Sequence, residues 1–73
     1  MAFHEKLKEL RVRQGLTQKD LAELLQLSTI TVRQYEQGSR EPNIEKLLTL
    51  AVIFEVSLDE MLCLEDFKRI SND

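Results

Sequence analysis

The side chains best equipped for recognition chemistry in this 73-residue chain are Thr29, Ile30, Arg33 and Gln34. Val32 and Tyr35 lie three apart, as two residues on the inner side of one helix would, and that rotation turns the other four outward. Arg33 carries a planar fork that can donate two hydrogen bonds to guanine O6 and N7. Gln34 can do the same for adenine N6 and N7. Ile30 has no hydrogen-bonding capacity and suits a thymine methyl. Thr29 and Thr31 can offer a hydroxyl or a methyl to a base or a phosphate. Two bland readings stand beside these. Ile30 would enter the core if the helix were rotated, and Arg33 and Gln34, taken as isolated side chains, read as solvated residues.

Other kinds of chemistry find no support. One cysteine and one histidine give no pair with metal-ligand spacing. Cys63 has no base beside it in sequence and reads as a small buried hydrophobe. His4 reads as a solvated residue near the terminus. Asp59-Glu60 and Glu65-Asp66 look like helix-end and tail charges rather than an acid–base dyad. No glycine-rich phosphate loop is present. The sequence therefore predicts no enzyme, no metal and no cofactor.

The recognition residues need helices to carry them, and the pattern supplies five. Phe3, Leu7 and Leu10 make a helical stripe that Gly15 ends. Thr17 caps a second helix with Asp20 three residues on, and Leu21, Ala22, Leu24 and Leu25 form its buried side. Gln26-Leu27 makes a turn, Ser28 caps the third helix, and Gly38 stops it. Residues 17–36 thus read as two short helices joined by a tight turn, a helix-turn-helix. Ser39-Arg40-Glu41-Pro42 is a loop, and Asn43 caps a fourth helix running to about Glu55. Ser57-Leu58-Asp59-Glu60 is a capping box that opens a fifth. After Leu64 the pattern decays into either a helical extension or a frayed tail. The division is a domain over residues 1–64 and an extension over 65–73.

The bulk numbers bound the partners. The length makes one domain with a modest core, for which a partner subunit would help. The longest apolar run, from Leu47 to Phe54, is too short to cross a bilayer, and no signal peptide is visible, so the expected compartment is the cytoplasm. Net charge is −3, awkward for a chain that must hold phosphates. The acid is concentrated late, however: residues 1–46 carry eight Lys/Arg against seven Asp/Glu, and residues 47–73 two against six.

Leu16-Thr17-Gln18, Leu21-Ala22, Ser28, Val32, Tyr35-Glu36, Gly38, Pro42, Leu47, Leu50-Ala51, Val56-Ser57 and Asp59 stand in the order and spacing of a known family. Over about residues 3–62 the chain resembles the Cro/phage-repressor-type helix-turn-helix, also called the xenobiotic-response-element (XRE) family. The resemblance implies an all-α, five-helix repressor-like domain that binds double-stranded operator DNA as a dimer. It implies base reading by Thr29, Ile30, Arg33 and Gln34, and a phosphate role for Gln18, at a helix start where backbone N–H groups favour an anion. Thr17, Thr31, Gln37, Arg40 and Asn43 are further phosphate candidates around the third helix. It also implies a partly buried ion pair between Arg11 and Glu36 that fixes the third helix against the first. One departure is visible: Gln26 stands at a turn position that is usually glycine in the family.

The fourth helix is apolar almost all round. Ile44, Leu47, Leu50, Ala51 and Phe54 suffice for a core, which leaves Leu48 and Val52 as an extra stripe. With Leu64, Phe67 and Ile70 they are the candidates for a homodimer seam. The function these readings predict is a sequence-specific DNA-binding transcriptional regulator, a repressor of phage or mobile-element type acting on a pseudo-palindromic operator. The competing reading is a protein-interaction module that keeps the frame and captures a protein partner through its acidic, apolar second half.

Overall fold

A computed structural model describes residues 2–62; Cys63, Leu64, Phe67, Ile70 and the whole 65–73 extension lie outside the described residues. Within them the helices are α1 Phe3–Arg13, α2 Gln18–Leu25, α3 Thr29–Gln37, α4 Ile44–Phe54 and α5 Leu58–Leu62. No strand occurs among the described residues.

Each boundary has a local cause. Thr17 Oγ1 accepts from the Asp20 N–H while the Asp20 carboxylate accepts from the Thr17 N–H, a closed capping box. Ser28 Oγ accepts from the Thr31 N–H, and Asn43 Oδ1 from the Lys46 N–H. At α5 only half of the expected box forms. The Glu60 N–H donates to Ser57 Oγ, but the Glu60 carboxylate lies 3.7 Å from Lys6 Nζ on α1.

Helices α1 to α4 all end in the same pair of backbone bonds, the Schellman arrangement, with a left-handed residue just past the helix. Glycine serves after α1 and α3, as Gly15 and Gly38. Gln26 at φ 59° and Glu55 at φ 55° serve after α2 and α4. Gln26 thus keeps the turn that glycine would make, and its Cβ bears the strain. At Gly38 there is a second reason for glycine. A Cβ there would meet His4 Nδ1 at 3.1 Å, so His4 is half-buried over the end of α3 rather than solvated.

The core is formed by Leu7 and Leu10 of α1, Leu21, Ala22 and Leu25 of α2, Val32 and Tyr35 of α3, Leu50 and Phe54 of α4, and Met61 of α5. Each large apolar side chain taken fully from water contributes about 1.5–3 kcal/mol before entropy is counted. Two expected core residues are absent. Leu24 is exposed because Leu21, Ala22 and Leu25 already fill the inward side of α2, and Leu24 sits roughly a quarter turn or more from their centre. Ile44 is exposed, 62%, for the same reason on α4, where Leu50 and Phe54 set the rotation and Leu47 and Ala51 are only half-buried. Pro42, read only as a loop residue, is buried in the loop before α4.

α3 is held from below by charge as well as packing. Arg11 Nε donates to Glu36 Oε2 at 2.6 Å and Arg11 Nη2 to Glu36 Oε1 at 3.2 Å. The pair is well shielded, with side-chain exposures of 12% and 3%. Arg11 Nη1 also donates to the Leu16 carbonyl at 2.7 Å, tying in the α1–α2 turn.

Two outcomes follow for stability in urea. Arg11→Ala and Glu36→Ala should each cost about 3–5 kcal/mol, because each strands a shielded charge, while the double substitution should cost clearly less than their sum. Additive losses would show that the two side chains are not coupled. Gln26→Gly should hold or raise stability by up to about 1 kcal/mol, as relief of left-handed strain exceeds the added freedom of the unfolded chain. Gln26→Val should lower stability, and the opposite order would contradict the strained turn.

Candidate nucleic-acid interface

The outward side of α3 is set by its inward side. Val32, Tyr35 and Glu36 are buried, and a helix advancing about 100° per residue then turns Ile30, Arg33, Gln34 and Gln37 the other way. Ile30 is 62% exposed, Arg33 and Gln37 are exposed, and Gln34 is half-buried with its backbone carbonyl engaged by the Ser39 N–H. Thr29 and Thr31 are half-buried on the two flanks. The Thr31 hydroxyl lies 2.9 Å from Ser28 Oγ, so it is partly committed to the helix start. The rotation that would have sent Ile30 into the core is therefore not the one adopted.

Around this side lie the phosphate candidates. Arg40 is exposed in the loop after α3, and Asn43 is exposed with its Oδ1 used as the cap of α4. Thr17 and Gln18 stand at the start of α2. The Thr17 N–H is taken by Asp20, whose carboxyl is held below its ordinary range chiefly by that backbone hydrogen bond, then by the Thr17 side chain. A negative charge at this helix start competes with an incoming phosphate, although the Thr17 hydroxyl proton, the Gln18 side chain and the first-turn backbone N–H groups of Gln18 and Lys19 stay as local donors. Gln18 is half-buried, and its Nε2 donates to Glu36 Oε1 at 3.2 Å. The bond joins α2 to the ion pair beneath α3 and is not visible in local spacing. No group of three or more His, Cys, Asp or Glu side chains that could hold a metal occurs among the described residues.

On α4 the exposed apolar residues Ile44, Leu48 and Val52 recur every fourth position and form one continuous row on the side away from Leu50 and Phe54. Val52 is 77% exposed. No helix of the described residues is long and apolar enough to cross a membrane.

Comparison with known proteins bears on the fold and the family. The helix-turn-helix family profile matches residues 7–61. The chain is 41% identical over 66 residues to the HTH-type transcriptional activator BcrR of Enterococcus faecalis, which covers 90% of this chain and 32% of that protein. Across three of the curated relatives it matches, the chain spans about a third to three fifths of their length. A transcriptional regulator from Listeria innocua superposes with a TM-score of 0.79 at 43% identity, over 82% of this chain and 56% of that one. The restriction-modification controller protein C.AhdI from Aeromonas hydrophila superposes with a TM-score of 0.73 at 34% identity, over 81% of this chain and 89% of that one. The profile match over most of the chain, the two superpositions and the α2–turn–α3 geometry lead to one identification: the chain belongs to the XRE-type helix-turn-helix family.

Proposed function

We propose that the chain is a sequence-specific DNA-binding transcriptional regulator that reads the major groove with α3. The observation that carries the reading is the outward row of α3, where Ile30, Arg33 and Gln37 are exposed among the described residues and Gln34 is half-buried beside them. It combines a guanine fork, an adenine-matching amide and an apolar contact for thymine on one helix side. Thr29 completes the base-reading set. Gln18, Thr17, Thr31, Gln37, Arg40 and Asn43 place the domain on the sugar–phosphate backbone. Relatives named as transcriptional regulators support the same reading. Binding that blocks a promoter makes the chain a repressor of phage or mobile-element type, working in the cytoplasm.

The domain acts as a homodimer on a pseudo-palindromic operator, with half-sites about one helical turn, roughly 34 Å, apart. The row Ile44, Leu48 and Val52 supports a seam that includes α4, since a side this apolar is costly to leave in water. Leu64, Phe67 and Ile70, outside the described residues, stay candidates for the same dimer on their sequence spacing alone.

Selection from a random duplex pool should return a twofold-related site. Against that site Arg33→Ala and Gln34→Ala should each relax discrimination at particular base pairs by about 1–3 kcal/mol. If both variants bind every sequence as the unchanged chain does, the readout assignment is wrong. Affinity should also fall steeply between low and moderate salt. For the dimer, sedimentation of the full chain at micromolar concentration should show a two-subunit species that Leu48→Glu combined with Val52→Glu converts to monomer. An unsubstituted chain that sediments only as monomer would reject the seam.

A further inference from the structure

The carboxylate of Glu36 serves three donors, and one of them does not belong to the ion pair. Oε2 takes Arg11 Nε, while Oε1 takes both Arg11 Nη2 and Gln18 Nε2. Arg11 neutralises the charge, so Gln18 is not needed for neutrality. What the third bond does is choose an orientation for Gln18. A carboxamide has a donor end and an acceptor end, and only the donor end can face a carboxylate oxygen. The flip that puts Oε1 against Glu36 Oε1 sets two acceptors on each other.

We infer that Glu36 is a positioning residue for nucleic-acid binding: the oxygen it shares between Arg11 and Gln18 locks the Gln18 carboxamide with Nε2 inward. The inference rests on the DNA-binding reading above. It leaves Gln18 Oε1 and the second N–H of Nε2 as a preset acceptor–donor pair at the amino end of α2. Gln18 therefore meets its ligand with its rotamer already chosen, an ordering cost met on folding and not on binding. Because Glu36 lies on α3 and Gln18 opens α2, the same bond also fixes the register between the backbone-contacting end of one helix and the base-reading side of the next. Removing the carboxylate should accordingly weaken DNA binding through Gln18 and not through the fold alone.

The test is a double-mutant cycle in operator affinity, using the full chain, the selected duplex, and a temperature below the melting transition of every variant. Glu36→Gln keeps the side-chain shape but gives Gln18 a partner that accepts either flip. It should weaken operator binding about five- to tenfold when Gln18 is present and less than twofold in the Gln18→Ala background. Equal losses in both backgrounds, or no loss, would overturn the inference, since a purely structural role ignores what stands at position 18. A second measurement needs no substitution at Glu36. In the free protein the Gln18 side-chain amide should show a restricted NMR order parameter, against a mobile Gln37 amide. A Gln18 amide as mobile as Gln37 would equally defeat it. If the unchanged chain binds no duplex, the DNA reading falls and this inference with it. If it binds and Arg33→Ala relaxes its discrimination while the cycle is additive, only this inference falls.

Discussion

A carboxylate buried to a few per cent exposure cannot stand alone in a protein interior, and much of this molecule is arranged around the one that Glu36 carries. Its needs are met from two directions. Arg11 reaches it from α1 with two nitrogens, and Gln18 reaches it from the start of α2. The third nitrogen of the guanidinium goes to the Leu16 carbonyl, in the segment between α1 and α2. Three helices thus share one charge-assisted network, and α3 cannot rotate without breaking it. Hydrophobic packing at Val32 and Tyr35 would tolerate small rolls of α3; directional hydrogen bonds to a shielded carboxylate do not.

This constraint explains why a short helix can present a defined outer side. α3 has nine residues, too few to be stable by propensity alone. It is held at its start by Ser28, at its end by Gly38 with His4 lying over it, and along its inner side by Val32, Tyr35 and Glu36. What remains is an outer row whose position is set by everything beneath it. The excess of acid falls after residue 46 in the sequence. It lowers the general attraction to phosphates and puts more of the burden on specific contacts.

Much of the architecture was legible in the residues because caps and stops are local. Thr17 with Asp20, Ser28 with Thr31 and Asn43 with Lys46 each act over three positions, so their chemistry can be read without knowing where the helices go. Gln26 stands out through the family resemblance and not through local chemistry, as a residue at a turn position usually held by glycine, and its φ of 59° is the left-handed conformation of that turn. Ser57 and Glu60 mark the limit of such reading. The pattern called for a mutual box, but Glu60 turns to Lys6 on α1, a partner that only the docking of α5 brings near.

By itself, then, the chain determined the kind and ends of the five helices among the described residues and which side of α3 faces out, because bonds over three or four residues and a 3.6-residue period decide those. The Arg11–Glu36 pair entered through likeness to a family and not through spacing. Only the tertiary structure decided that Gln18 joins that pair, that His4 closes over Gly38, and that Leu24 and Ile44 are left in water. Those outcomes depend on how far each helix is rolled against its neighbours and on partners far apart in sequence, 18 residues for Gln18 with Glu36 and more for His4 with Gly38, and helical periodicity says nothing about either.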